Sequence, residues 1–243
     1  MKGQNFKYPF IVLQLILYIS FLFLDIKGGN IALSSYIKFA VVALCFIYVF
    51  VTGNESFDRQ RLFLCLALFF TLISDIQLLL LDDSDYYFYG VLTFILAQQF
   101  HGIRISILGN SRAKLIKDLL IRLLYQTIGS LAIYFLLWKA NISINGLLAA
   151  SIFYFICILT NSLRSLRLAL LFKGRKDTKY LAAGMVLFLL CDINVGLFNL
   201  SDFLSVGPVY NIIYSVSSIL MWTFYAPSQV FISLSGERGK VVV

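Results

Sequence analysis

Eight long apolar runs, separated by short polar stretches, limit most strongly what this chain can fold into. Each run is close to or above the roughly 20 residues with which a helix crosses the hydrocarbon of a bilayer. Hydrophobic residues make up 60% of the 243 residues and charged residues only 13%, which is more apolar surface than a soluble domain of this size needs. The sequence therefore predicts an all-α, polytopic membrane protein with about eight transmembrane helices, near residues 8–24, 31–52, 61–81, 86–108, 119–138, 143–163, 179–200 and 208–235.

No linker or low-complexity segment divides the chain, so we expect one transmembrane helical domain over residues 1–243. The first run follows a basic N-terminus, as the apolar part of a signal peptide would. It is long, however, and it ends at Asp25-Ile26-Lys27 without the small residues of a cleavage site. We therefore expect this run to remain as the first helix.

The formal net charge of +8 is distributed unevenly between alternate loops. The loops of one set contain only two positive residues, Lys27 and Lys139. The N-terminus and the other loops contain clusters of positive residues. These clusters include Lys7, Arg59, Arg61, Arg104, Arg112, Lys114, Arg122, Arg164, Arg167 and Arg175. This positive-inside pattern predicts a multi-pass protein of the cell membrane with both termini cytoplasmic. The basic excess can also attract anionic membrane lipids, and we expect no nucleic-acid partner.

Cysteine and histidine give no indication of a metal or cofactor site. All four cysteines, Cys45, Cys65, Cys157 and Cys191, fall within apolar runs, where cysteine is typically a small buried hydrophobic residue. With one histidine in the chain, a histidine-rich metal site is impossible. We therefore expect neither a metal ion nor a cofactor.

Two aspartates, Asp75 and Asp192, lie deep inside apolar runs and have similar neighbours. The two segments read Leu-Ile-Ser-Asp-Ile-Gln, ending at Gln77, and Leu-Leu-Cys-Asp-Ile-Asn, ending at Asn194. A carboxylate in hydrocarbon costs roughly 3 kcal/mol even on the lenient insertion scale, and such residues usually mark functional sites. The aspartates form either an acid–base pair or a structural pair held by hydrogen bonds between helices.

Both aspartates are expected at similar depth, on the third and seventh helices. Each lies about 13–14 residues from a helix start near Arg61 or Lys179, or roughly 20 Å at the rise of an α-helix. Helices four apart run in the same direction, which is compatible with a parallel four-plus-four repeat. Without an intramembrane Lys or Arg nearby, burial and mutual repulsion favour one protonated and one ionised carboxyl, as general acid–base chemistry requires.

Glycine, phenylalanine and polar residues recur along single helical faces. Gly90, Phe94 and Gln98 form one such stripe, and Gly184, Phe188 and Asp192 form another. An amide or hydroxyl group at membrane depth needs a polar partner. We therefore expect Asp75 and Asp192 to be catalytic, and a set of amides and one tyrosine to bind substrate: Gln98, Asn194, Gln77, Tyr225 and Gln229.

In order and spacing, these segments resemble the YhhN family of integral membrane proteins, which includes the lysoplasmalogenases. The resemblance covers about residues 60–235. It rests on the Leu-Ile-Ser-Asp segment at Asp75, the two glycine–phenylalanine stripes and the terminal Tyr225-x-x-x-Gln229. It implies eight helices and hydrolysis of the vinyl ether of a lysoplasmalogen, a lysophospholipid, to a fatty aldehyde and a glycerophospho-alcohol. Two carboxyl groups suit this chemistry, since one can protonate the vinyl ether while the other stabilises the cation and activates water.

Three positions depart from the pattern that the resemblance implies. Ser74 stands where the family typically has glycine, Gln98 where it often has histidine, and His101 where it has tyrosine. An amide cannot transfer a proton as imidazole can, so only positioning by hydrogen bond is expected of Gln98. The alternatives are a non-catalytic lipid-binding or transport protein, in which the aspartates relay protons or hold a headgroup, and a purely structural membrane protein.

Overall fold

The computed structural model describes residues 2–52, 58–81, 84–109, 115–203 and 207–237. Within these ranges the chain forms eight long helices and no strand, so the prediction of an all-α protein is confirmed. The helices are α1 (Lys2–Lys27), α2 (Ile31–Val51), α3 (Arg59–Asp75), α4 (Ser84–Gly109), α5 (Leu115–Lys139), α6 (Gly146–Leu171), α7 (Lys176–Phe198) and α8 (Tyr210–Leu234). Arg112 and Lys114, two of the positive residues predicted to be cytoplasmic, lie outside the described residues.

Seven of the helices in the described ranges, α1 to α7, are long and apolar enough to cross a membrane. α8 is long enough, with 25 residues, but it contains more serine, tyrosine and glutamine. Several of its polar side chains are buried, among them Ser217, Tyr225, Ser228, Gln229 and Ser233, so its polar face lies against the bundle. The outer helices α1 and α5 expose large apolar side chains such as Ile19, Phe23, Leu131 and Leu136. The protein is a polytopic helical membrane protein.

The packing of α1–α4 is matched by the packing of α5–α8. α3 packs along α4 as α7 packs along α8, α2 contacts α3 as α6 contacts α7, and α1 contacts α2 as α5 contacts α6. The contacts between the halves correspond in the same way: α4 with α6 matches α8 with α2, and α1 with α8 matches α5 with α4. A four-plus-four repeat produces this pattern of helix contacts.

Matching caps begin α2 and α6, which hold equivalent places in the two halves. The side chain of Asn30 accepts a hydrogen bond from the backbone N–H of Leu33 (3.0 Å), and Asn145 accepts one from Leu148 (2.8 Å). Each cap satisfies a backbone donor that the first helical turn leaves unpaired. The correspondence between the halves therefore extends to the residues that start these helices.

α7 and α8 approach each other closely at Gly184. A Cβ atom added there would lie 2.9 Å from the backbone nitrogen of Ile232 and 2.9 Å from the carbonyl oxygen of Ser228. Glycine is required because it lets the backbones of the two helices touch. This contact holds together the hairpin that carries Asp192 and Tyr225.

Pro227 lies inside α8 without ending the helix. Proline has no backbone N–H, so the carbonyl of Thr223, four residues earlier, loses its helical donor. The hydroxyl of Tyr18 on α1 donates a hydrogen bond to that carbonyl (3.2 Å). The interruption in α8 thus becomes an attachment point for α1.

α5 begins earlier than the sequence predicted, and it carries a buried arginine. The helix is continuous from Leu115, and Arg122, which the charge pattern assigned to a cytoplasmic cluster, is 4% exposed inside the bundle. The basic and acidic residues at the start of this run lowered its apolar character, so the predicted helix began too late. Arg122 therefore lies in the protein interior and not in the exposed cytoplasmic cluster to which the charge pattern assigned it.

Candidate functional site

Asp75 is the last residue of α3 and directly precedes a π-helical turn, Ile76–Leu80. Such turns are frequent at functional sites. The Asp75 side chain is buried (3% exposed), and both of its carboxyl oxygens lie 2.8 Å from the hydroxyl of Tyr225 on α8. The tyrosine hydroxyl therefore holds the carboxyl group in place across the bundle.

Two polar contacts fasten the end of α3 and the π-helical turn to α4. The hydroxyl of Ser74 donates to the carbonyl of Gly90 (2.6 Å), and the hydroxyl of Thr93 donates to Oε1 of Gln77 (3.0 Å). A serine hydroxyl here supplies a bond that glycine, the residue implied by the family resemblance, could not make. These bonds fix the backbone on both sides of Asp75.

Asp192 lies in the regular part of α7 and is less buried than Asp75. Its Oδ2 atom accepts a hydrogen bond from the hydroxyl of Tyr154 on α6 (2.8 Å). Each carboxyl group is thus bonded to a tyrosine from a different helix. Among the described residues, no hydrogen bond joins the two carboxyl groups directly.

Four aromatic rings connect the two carboxyl groups into one site, which we call the aromatic box: Phe94, Tyr154, Phe188 and Tyr225. The ring centroid of Phe94 lies 5.5 Å from that of Tyr154 and 6.4 Å from that of Tyr225. Phe188 lies 6.0 Å from Phe94 and 5.4 Å from Tyr225. Tyr154 donates a hydrogen bond to Asp192, and the hydroxyl of Tyr225 contacts Asp75. Both aspartates therefore border one enclosure.

The two aspartates lie equally far along their helices. α3 begins at Arg59 and α7 at Lys176, so Asp75 and Asp192 each follow the first helical residue by 16 positions (75 − 59 and 192 − 176). This offset corresponds to about 24 Å at the rise of an α-helix. The two carboxyl groups therefore lie equally far along their helices, and their depth in the bilayer stays a prediction.

Of the five residues predicted to bind substrate, only Tyr225 has a hydrogen bond to one of the aspartates. Gln77 bonds to Thr93, and the Nδ2 group of Asn194 donates to the carbonyl of Leu190 in its own helix (2.8 Å). Gln229 is buried one turn from Tyr225, with Nε2 3.4 Å from the hydroxyl of Ser228. A substrate contact for these amides remains a prediction.

Gln98 is buried next to Phe94 on α4, but its hydrogen bonds lead away from the carboxyl groups. Its side-chain and backbone oxygens accept hydrogen bonds from Nδ2 of Asn161 on α6, at 3.0 and 2.8 Å. His101, one turn further along, is also fully buried. Gln98 therefore joins α4 to α6 one helical turn away from Phe94 of the aromatic box.

The sequence did not single out Tyr154 or the π-helical turn. Tyr154 is one of 14 tyrosines in the chain, and its importance depends on α6 meeting α7, which no local pattern reveals. The π-helical turn occupies Ile76–Leu80, an isoleucine, a glutamine and three leucines that fit an ordinary helix equally well. The only local sign of either feature in the sequence was a nearby aspartate between apolar stretches: Asp192 for the partner of Tyr154, and Asp75 for the π-helical turn.

Metal-ligating side chains do not converge in the described part of the chain. No three His, Cys, Asp or Glu side chains there come together as a group that could hold a metal ion. The four cysteines are buried and free. The chemistry that this arrangement offers is that of two carboxyl groups, two phenolic hydroxyls and an apolar, aromatic surrounding.

Comparison with known protein families places the fold and the site in context. The model of the YhhN family matches residues 33–236, from α2 to the end of α8. Comparisons with curated proteins and with solved structures gave no match. The matched range contains both aspartates and all four rings of the aromatic box. Because the match covers most of the chain, the protein belongs to the YhhN family.

Proposed function

We propose that the protein is a membrane-embedded hydrolase that cleaves the vinyl ether of lysoplasmalogens. The observation that carries this proposal is the pair of carboxyl groups, each bonded to a tyrosine and both bordering one aromatic box. Family membership and the seven candidate membrane spans are compatible with a lipid substrate. We further propose the cell membrane as its location.

The reaction needs a proton donor, a group that stabilises positive charge, and water. A proton added to the β-carbon of the vinyl ether gives an oxocarbenium ion, and water then adds to the adjacent carbon. The resulting hemiacetal loses the glycerophospho-alcohol and leaves a fatty aldehyde, so one water is consumed and no oxidant is required. Paired carboxyl groups perform equivalent acid and base steps in glycosidases.

The unequal burial of the two carboxyl groups supports a division of roles. Asp75 is the more buried, and an isolated buried carboxylate is costly, so we assign it the role of proton donor. Asp192 is partly exposed, which suits a carboxylate that stabilises the cation and positions water. The rings of the aromatic box offer an apolar surface to the fatty chain and π-faces to the cation.

The direct test is aldehyde release from lysoplasmalogen by the purified full-length protein. The wild-type protein should release aldehyde and the free glycerophospho-alcohol in equal amounts. The double variant Asp75→Asn/Asp192→Asn should lose this activity, because an amide neither donates an acidic proton nor carries negative charge.

Asp202→Asn is a matched control, since Asp202 is exposed in the short helical turn after α7. It should retain full activity. Binding of lysoplasmalogen by the wild-type protein without any product would contradict the hydrolase proposal and favour the lipid-binding alternative. Full activity in the double variant would remove the proposed mechanism.

A further inference from the structure

Arg122 is a buried cation on a membrane-spanning helix, and it lacks a carboxylate partner. In the described part of the chain no carboxylate lies within ion-pair distance of its guanidinium. Nη1 and Nη2 donate to the backbone and side-chain oxygens of Gln99, at 3.3 and 2.7 Å, while Nε has no hydrogen-bond partner. The neighbouring charge, Arg164, is also positive and pairs with Asp118 at 3.6 Å. A charge in this position normally requires an anion.

Buried amides with unused hydrogen-bonding groups surround this arginine. Gln98, Gln126 and Asn161 are fully buried on α4, α5 and α6. Oε1 of Gln126 accepts a hydrogen bond from Gln99 (3.1 Å), and Asn161 donates to Gln98. The Nε2 groups of Gln98 and Gln126 have no partner, nor does Oδ1 of Asn161. Buried amide donors are seldom left unpaired, so this group, which we call the α4–α6 polar cluster, suits a ligand with acceptor oxygens.

Gly102 on α4 makes room for the guanidinium. A Cβ atom added at Gly102 would lie 1.3 Å from Nη1 of Arg122 and 2.8 Å from Oδ1 of Asn161. Any other residue at this position would push the end of the arginine side chain away. The structure thus brings a guanidinium and an amide against one bare stretch of helix backbone.

The α4–α6 polar cluster and the aromatic box lie along the same side of α4. Phe94, Gln98 and Gly102 follow one another at intervals of four residues, and Phe94 belongs to the aromatic box. The eight residues from Phe94 to Gly102 correspond to about 12 Å along the helix. In a lysophospholipid a glycerol unit separates the ether oxygen from the phosphate, so a molecule bound with its ether at the aspartates and its headgroup toward Gly102 directs its phosphate at the α4–α6 polar cluster.

We propose that Arg122 and the donor groups of the α4–α6 polar cluster bind the phosphodiester of the lipid substrate. This inference rests on the proposed function and adds the headgroup end of the substrate site. A guanidinium presents a planar fork that matches two phosphate oxygens, and the amide groups of Gln98 and Gln126 add donors beside it. The phosphate then lies toward the end of the bundle where α5 begins, and the fatty chain lies beyond the aspartates.

The test is ligand binding, which does not depend on turnover. An alkyl-ether lysophosphatidylcholine lacks the vinyl double bond and cannot follow the proposed reaction, and the corresponding alkylglycerol lacks only the phosphate headgroup. Isothermal titration calorimetry of the full-length protein in detergent should show that the wild type binds the phospholipid at least about tenfold more tightly than the alkylglycerol. Arg122→Gln should abolish this preference, and Arg122→Lys should retain part of it.

Two further variants keep the test decisive where Arg122→Gln does not fold. Gly102→Ala preserves every charged group and displaces only the ends of two side chains, Arg122 and Asn161, so it should fold and lose the preference. Gly129→Ala, whose added Cβ would meet only Ile156 at ordinary contact distance (3.4 Å), and Arg167→Gln, at an exposed position, are the matched controls that should behave as wild type.

Two outcomes would overturn the assignment of the phosphate site. One is an unchanged phospholipid preference in both Arg122→Gln and Gly102→Ala. The other is Arg122-dependent binding of inorganic phosphate without binding of the phospholipid, which would assign the site to a free anion. Because the readout is binding, Arg122-dependent phospholipid binding by a protein without hydrolase activity would contradict the proposed function and leave the phosphate site standing.

Discussion

Asp75 and Asp192 occupy equivalent places in the two halves of the bundle, yet their surroundings differ. Both follow the start of their helix by 16 residues, and both accept a hydrogen bond from a tyrosine. Asp75 precedes a π-helical turn, is buried, and has both oxygens at a tyrosine hydroxyl, whereas Asp192 lies in a regular helix and is partly exposed. The matching halves thus place two carboxyl groups equally far along equivalent helices, and local structure distinguishes them.

This difference is what acid–base chemistry at a single site requires. Two identical carboxyl groups would share protons equally, while two different environments favour one neutral and one charged group. The environment differs because the helices that cover each aspartate differ: α8 with its Tyr225 covers Asp75, and α6 with its Tyr154 covers Asp192. The packing between the halves, not the sequence around each aspartate, creates the asymmetry.

Single substitutions of the aspartates test the division of roles most strongly. Asp75→Asn should lower kcat for aldehyde release by about a thousandfold, since proton transfer by a positioned acid contributes this order of magnitude. Asp192→Asn should lower kcat by about a hundredfold, because an amide and nearby water retain part of its positioning role. The measurement is steady-state kinetics with lysoplasmalogen in detergent. Equal losses in the two variants would contradict the assignment of different roles.

Removal of the tyrosine hydroxyls should have the next largest effect. Tyr225→Phe and Tyr154→Phe each delete one hydrogen bond to a carboxyl group and preserve the ring packing of the aromatic box. We expect each to lower kcat by about tenfold, as the loss of a bond to a polar or charged group would predict. Tyr225→Phe should have the larger effect because its hydroxyl contacts both oxygens of Asp75. A larger loss of kcat in Tyr154→Phe than in Tyr225→Phe would contradict the expectation that the hydrogen bond to Asp75 matters more than the one to Asp192.

Alanine substitutions of two glycines test how closely the helices pack in the α7–α8 and α3–α4 hairpins. The quantity compared is the loss of protein stability. Gly184→Ala should destabilise the protein by about 1–3 kcal/mol, because the added Cβ meets the backbone of α8, which cannot move aside. Gly90→Ala in α4 should cost less, since its close neighbour is the side chain of Leu78, at 2.6 Å. Thermal unfolding followed by intrinsic fluorescence measures both changes. Gly196→Ala, with no atom near the added Cβ, is the control and should not lower the melting temperature, since alanine favours the helix more than glycine does.

The smallest expected effect concerns the bond that braces the π-helical turn. Gln77→Ala removes the acceptor for the hydroxyl of Thr93 and should lower kcat by about threefold, because one partly exposed hydrogen bond contributes little. The same experiment separates bracing from substrate binding. A raised KM with unchanged kcat would show that Gln77 contacts the substrate, as its place in the sequence predicted, and would contradict a purely bracing role.

The sequence predicted the helices well because length and apolar composition suffice for that purpose. The predicted run near 179–200 corresponds to α7, and the run near 61–81 corresponds to α3 with its π-helical turn. Errors occurred where charged residues lie inside a helix. Arg122 and its basic neighbours indicated the cytoplasmic surface, but the structure buries Arg122 against Gly102 and Gln99. Local composition cannot distinguish an arginine at a membrane surface from one held between helices.

The aspartates could be identified from the sequence, but their partners could not. A carboxyl group in an apolar run is unusual wherever the helix packs, so Asp75 and Asp192 were candidates without a structure. Tyr225 was a candidate because it is a polar residue one turn from Gln229 in the last apolar run, whereas the role of Tyr154 depends on the contact between α6 and α7. Gln77 and Asn194 followed the aspartates by a similar pattern, yet their hydrogen bonds lead to Thr93 and Leu190.

The sequence by itself determined that this protein is helical, lies in a membrane and carries two carboxyl groups at matching positions along two of its helices. These properties follow from hydrophobic run length and residue count, which are local and additive along the chain. Only the tertiary structure decided which tyrosine contacts which aspartate, that one carboxyl group is more buried than the other, and that Arg122 lies in the interior. Each of these depends on residues far apart in the chain, brought together because ten helix pairs in the described residues pack side by side.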